Sequence, residues 1–116
     1  MNKIISMLII FVFAYSIASC RAKGELPEDA KWIANHGKIH FAYADASYLR
    51  REVELREIGK IICTEIHNHE DYCQVYFWSN ELEVVTELPV IQRGSLFAIY
   101  EKNGEAVKLK RLKERL

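Results

Sequence analysis

His67-Asn68-His69, followed directly by Glu70 and Asp71, is the stretch of this chain best equipped for chemistry. In an extended segment, residues two apart point to the same side, so both imidazoles could meet one ion. Zn²⁺ and Cu²⁺ are the ions that suit such ligands. His36 and His40 supply two more ligands of the same type if the fold brings them near. The plainer reading of the same residues is a polar, solvated turn. The expectation is no cofactor, with His67 and His69 the ligands should Zn²⁺ or Cu²⁺ bind.

Catalysis has less to work with. Ser47, Ser79 and Ser95 sit in no nucleophile motif, and Gly94-Ser95 lacks the G-x-S-x-G elbow. Phosphate-cradling and dinucleotide-binding glycine patterns are absent from the sequence. Carboxylates are plentiful, but pairing two for acid–base work needs a geometry that spacing does not supply. The expectation is a protein that is not an enzyme.

The first twenty residues carry a different kind of signal. Met1, Asn2 and Lys3 form a short positive start, and residues 4–18 are uncharged and mostly apolar. This order is that of a secretory leader, and the apolar run falls short of the roughly 20 residues needed to span a bilayer. It ends in Ile17-Ala18-Ser19-Cys20, which resembles the lipobox of bacterial lipoproteins: an aliphatic residue, two small ones, then cysteine. The resemblance covers the leader alone. It implies cleavage of residues 1–19 and a diacylglyceryl thioether on the Cys20 sulfur, which anchors the chain in a lipid bilayer. A thiolate is the nucleophile such a reaction needs, and two or three acyl chains make the anchor stable. With Arg21 rather than aspartate beside the lipidated cysteine, the family's habit implies the outer membrane, facing the periplasm, in a host with two membranes.

Export constrains the rest. The 97 residues from Cys20 onward suit one small domain. With Lys3 removed, fifteen basic side chains stand against sixteen acidic ones, which leaves no nucleic-acid footprint. Once Cys20 is taken by lipid, Cys63 and Cys73 form an even pair outside the cytoplasm and are expected to oxidise. Nine residues lie between them, against two in a redox dithiol, so the expected role is structural.

Positioning these groups falls to a few elements. Residues 20–30 read as a tether and 31–116 as the domain, although Pro27-Glu28-Asp29 could open a short helix ending at Gly37. Residues 38–44 alternate as a strand, with Ile39, Phe41 and Tyr43 on one side. Residues 47–66 read as a helix behind Asp45 or Ser47 as N-cap, with Tyr48, Leu55, Ile58, Ile62 and Ile66 on one face. A long bulged strand is the alternative there, and Gly59 weakens the helix by about 1 kcal/mol. Residues 72–78 and 82–87 read as strands. Residues 96–102 and 105–111 form a hairpin across Asn103-Gly104 with a type I′ turn. The fold expected is α+β: one helix packed on a mainly antiparallel sheet of four to five strands, with one disulfide.

Two surfaces could bind a macromolecule. Tyr76 and Trp78 are residue types favoured as interface anchors. Lys108, Lys110 and Arg111 form a basic run that suits an anionic surface, or else guards an edge strand against aggregation. The functional expectation is an envelope lipoprotein that binds another macromolecule. It would be an inhibitor or immunity-type protein against an incoming protein, or alternatively an accessory lipoprotein of an envelope or secretion machine. A periplasmic metal-binding protein using His67 and His69 is the third reading.

Overall fold

A computed structural model describes residues 24–90 and 94–113. The leader, Cys20 and the first residues of the tether lie outside the described residues.

Five strands form one sheet in chain order: β1 (Ala30–His36), β2 (Ile39–Ala44), β3 (Tyr72–Trp78), β4 (Leu96–Asn103) and β5 (Ala106–Arg111). β2 and β3 run parallel; the other three pairings are antiparallel. The parallel pair needs a crossover, which the helical segment provides. It opens as a 3-10 turn (Ala46–Arg50), continues as helix α1 (Glu52–Lys60) and widens into a π-helical turn (Ile61–Ile66). The α+β architecture with one helix on a mostly antiparallel sheet is thus the fold of the domain.

Asp45 opens the crossover, its carboxylate accepting the Ser47 backbone N–H at 3.0 Å. Tyr48, Leu55, Ile58 and Ile62 then face the sheet and are buried, whereas Ile66 is 39% exposed. The π turn is the reason. Its wider winding advances less per residue, so Ile61, Ile62 and Cys63 all stay buried in succession and Ile66 falls off the stripe. The Cys63–Cys73 disulfide joins this turn to the start of β3.

Gly59 is the point of closest approach between helix and sheet. A Cβ there would lie 2.4 Å from the Tyr100 ring. The residue that weakens the helix locally is the one that lets it dock. Gly59→Ala is expected to lose about 1–3 kcal/mol through overpacking, despite a helix-propensity gain of about 1 kcal/mol. A urea titration checks this, and a stabilised variant would contradict it.

Three local expectations are corrected. Residues 30–36 are a strand, not the end of a helix opened at Pro27; Gly37 at φ +61° turns the chain into β2 as a hairpin. In both hairpins only the first loop residue, Gly37 or Gly104, has positive φ, which is the pattern of a type II′ turn. The second hairpin therefore turns through Gly104-Glu105 rather than Asn103-Gly104. Finally, residues 82–87 form no strand. A 3-10 turn (Glu81–Glu83) leads instead into irregular chain. Val84, Val85 and Val90 pack over Phe41, Trp78 and Leu96 on the sheet face away from the helix. Covering those large side chains outweighs adding an edge strand.

Candidate metal centre

Strand alternation gives β2 two unlike faces. Ile39, Phe41 and Tyr43 point away from the helix, so His40 shares the helix-side face with Ala42 and Ala44, and all three are fully buried. Beside it, β1 brings Trp32, whose indole Nε1–H donates to His40 Nδ1 at 3.1 Å.

His67 and His69 arrive from the other direction, at the exit of the π turn. The His67 backbone N–H donates to the Ile62 carbonyl at 3.2 Å, and that of His69 to the Cys63 carbonyl at 2.7 Å. Between them Asn68 adopts φ +53°, a left-handed conformation that asparagine tolerates better than most residues. Lys102 Nζ then donates to the carbonyls of His69 and Glu70 at 3.0 and 3.1 Å, pinning the loop to β4. The two imidazoles therefore share a direction because of a helix exit and a left-handed turn, not because the segment is extended.

These elements bring three of the four histidines together. Ring centroids of His40 lie 4.4 Å from those of His67 and 5.0 Å from those of His69. The His67 and His69 rings stack nearly parallel, 8° apart at 5.9 Å. One ligand nitrogen from each ring lies within 4.8 Å of the others. The Nε2 atoms of all three are buried and have no protein hydrogen-bond partner. His36 is not part of the group; it sits exposed at the end of β1, opposite Ile39.

Each unpartnered buried nitrogen costs about 1–3 kcal/mol in a folded protein. Three of them on rings this close together form a site that a ligand would relieve. For two nitrogens bound to one Zn²⁺ the separation is about 3.4 Å, from bond lengths near 2.1 Å. Small movements would bring these nitrogens to that distance.

Electrostatics keeps the rings neutral, which is the form that ligates metal. Burial pushes the His40 pKa down to about 4, with His67 and His69 adding to the effect. Burial also lowers His67, with His69 contributing. His69 is lowered by burial and by the charges of Lys38 and Lys102. A histidine depressed when folded releases its proton on folding, so stability falls as pH drops. For the metal-free protein, unfolding in urea is expected to become easier between about pH 6.5 and 4, by about 3 kcal/mol from His40. A flat profile across that window would place His40 in contact with water.

The surface residues separate. Tyr76 is half-buried and lines a groove of about 270 Å³ with Gln74, Ile99, Glu101, Lys108 and Lys110. Trp78 is only 2% exposed and lies beneath Val84, Val85 and Val90, so it is not at the surface. Arg111 reaches to the helix side, donating to the Leu49 carbonyl at 3.4 Å. β5 is an edge strand, the setting in which flanking lysines discourage strand addition. A separate cleft of about 540 Å³ lies between Pro27-Glu28-Asp29 and the helical segment. Its guanidinium, Arg51, is already engaged by Asp29, Glu54 and the Tyr48 ring, which makes it a brace for the chain entering β1.

Sequence reasoning placed His67 and His69 correctly as neighbours but left His40 conditional and overlooked Trp32. A signal for His40 did exist: alternation puts it on the face opposite Ile39 and Phe41, where Ala42 and Ala44 already imply burial. Comparison with protein-family models, curated proteins and solved structures finds no match to this chain. Among the described residues, no helix is long and apolar enough to cross a membrane.

Proposed function

We propose that this chain is an exported lipoprotein, anchored through Cys20, whose domain binds one late first-row transition-metal ion at the histidine cluster. The observation that carries the metal reading is three imidazoles from β2 and the π-turn exit, each offering a nitrogen within 4.8 Å of the others and each with a buried, unpartnered Nε2. Nitrogen-only ligands of this kind suit Cu²⁺ and Zn²⁺ over Mg²⁺ or Ca²⁺, which prefer oxygen. The anchor rests on the leader and the Ile17-Ala18-Ser19-Cys20 sequence. The function that follows is metal binding, buffering or delivery at a membrane surface, without catalysis.

Titration calorimetry with Zn²⁺ and with Cu²⁺ tests it. One equivalent bound, with no response to Mg²⁺, is the expected result; no heat with either transition metal would end the reading. Intact mass of the protein taken from its own membranes tests the anchor, which predicts Cys20 to Leu116 plus acyl chains.

A second reading keeps the domain as a binder of another macromolecule, either an incoming protein to be neutralised or a component of an envelope machine. The observation in its favour is that Gln74, Tyr76, Glu101, Lys108 and Lys110 share one groove at the uncovered end of the outer sheet face. Affinity capture from the native membrane separates the readings. A partner lost in a Tyr76→Ala, Lys108→Ala variant would favour the second.

A further inference from the structure

Trp32 decides which nitrogen of His40 carries the ring's proton. An indole N–H can only donate, and this one donates to Nδ1. Nδ1 is thereby an acceptor, and a neutral imidazole then holds its single hydrogen on Nε2. That nitrogen is buried without a hydrogen-bond partner, on a ring whose centroid lies 4.4 Å from that of His67 and 5.0 Å from that of His69. Histidines that ligate metal are arranged the other way round: the outer nitrogen donates to a carboxylate, carbonyl or water, which leaves the inner nitrogen its lone pair. Trp32 has one N–H and gives it to His40, so His67 and His69 are not constrained in this way.

Charge points in the same direction. Among the described residues, no carboxylate joins the cluster. Lys38 and Lys102 add positive charge around His69. Two neutral imidazoles would leave a divalent ion uncompensated in a buried setting, which is strongly unfavourable.

We infer that His67 and His69 are the protein ligands of the ion, and that His40 Nε2–H faces a small anion bound to that ion as a further ligand. This rests on the metal-site reading above. His40 becomes a hydrogen-bond donor to a metal-bound anion such as hydroxide, halide or a carboxylate group, and Trp32 becomes the residue that keeps it one. The ion stays open to exchange of that anion, which is what a delivery site requires and a closed structural site does not have.

The experiment uses the full chain purified in detergent. Ring ¹⁵N shifts of the metal-free protein report the His40 tautomer directly; the proton is expected on Nε2, and on Nδ1 in Trp32→Phe. After loading with Cu²⁺, the nitrogen couplings should count two imidazoles in the wild type and three in Trp32→Phe. Sodium azide serves as the anion probe, followed by its charge-transfer band. His40→Gln, which retains an N–H donor, should keep both copper and azide. His40→Leu should keep copper but bind azide at least about tenfold more weakly.

A proton on Nδ1 in the wild type, three imidazoles on wild-type copper, or loss of copper in His40→Gln would each overturn the inference while leaving the metal site standing. A tautomer unchanged in Trp32→Phe would overturn the assignment to Trp32. Failure of the wild type to bind copper at all would remove the metal site itself, and the anion position with it.

Discussion

Replacing His67 and His69 together with alanine is expected to lower Cu²⁺ and Zn²⁺ affinity by more than about a hundredfold. Loss of groups that merely support a metal ligand already costs about 10–100-fold, and this change removes ligands outright. The fold should survive. Both residues follow the last helical turn, outside the main hydrophobic cluster, and their inward nitrogens have no protein partner to lose. Deleting two such nitrogens removes a desolvation cost, so stability to urea should hold or rise slightly. Calorimetry beside a urea titration makes the comparison. Unchanged affinity in the double variant would dismiss the centre, whereas lost affinity with a collapsed fold would be uninformative. For that reason the two measurements belong together.

The second large effect concerns the Cys63–Cys73 bridge. Both cysteines are completely buried, and the bridge closes a loop of sequence separation 10. In the chain-entropy account, such a cross-link contributes roughly 2–3 kcal/mol. A domain of this size has only about 5–10 kcal/mol in total. Cys63→Ala with Cys73→Ala is therefore expected to move the urea midpoint down by about a fifth or more. The same variant should also bind metal less tightly. The Cys63 carbonyl accepts the His69 N–H, and the bridged loop contains both His67 and His69. Freeing that loop adds an ordering cost to every binding event. Equal urea midpoints would mean that packing around the two side chains suffices without the bond. Equal metal affinity would mean that Lys102 and the Asn68 turn hold the loop unaided.

Local physics was legible in the residues themselves. Alternation in 38–44 separates His40 from Ile39 and Phe41. Tyr48, Leu55, Ile58 and Ile62 repeat at helical spacing behind a capping Asp45. Gly104 marks the last hairpin, and two cysteines left over beside a lipobox-like Cys20 point to a bridge. Each of these depends on neighbours a few residues apart, where propensity, periodicity and turn stereochemistry act directly.

Other features depended on partners distant in the chain, and only the tertiary structure decided them. The sheet's outer face carries Phe41, Trp78 and Leu96, and whether it meets water depends on where residues 79–90 travel. They crossed it, so Trp78 was buried while Tyr76 stayed at the groove. Gly59 is a defect within a helix and becomes a necessity only once Tyr100, forty-one residues later, packs against it. The histidine cluster is the clearest case. His67 and His69 declare themselves by proximity, but His40 joins them only because β2 lies parallel to β3 and the π turn ends above it. Trp32 reaches His40 only because a hairpin folds β1 back along β2. The sequence by itself determined β2, β3, the helical stretch and the last hairpin, but not β1 or the irregular path after β3. Tertiary structure alone decided which buried polar atoms face one another, because that depends on how separate elements are brought together by burial of apolar surface, which has no directional memory of the sequence.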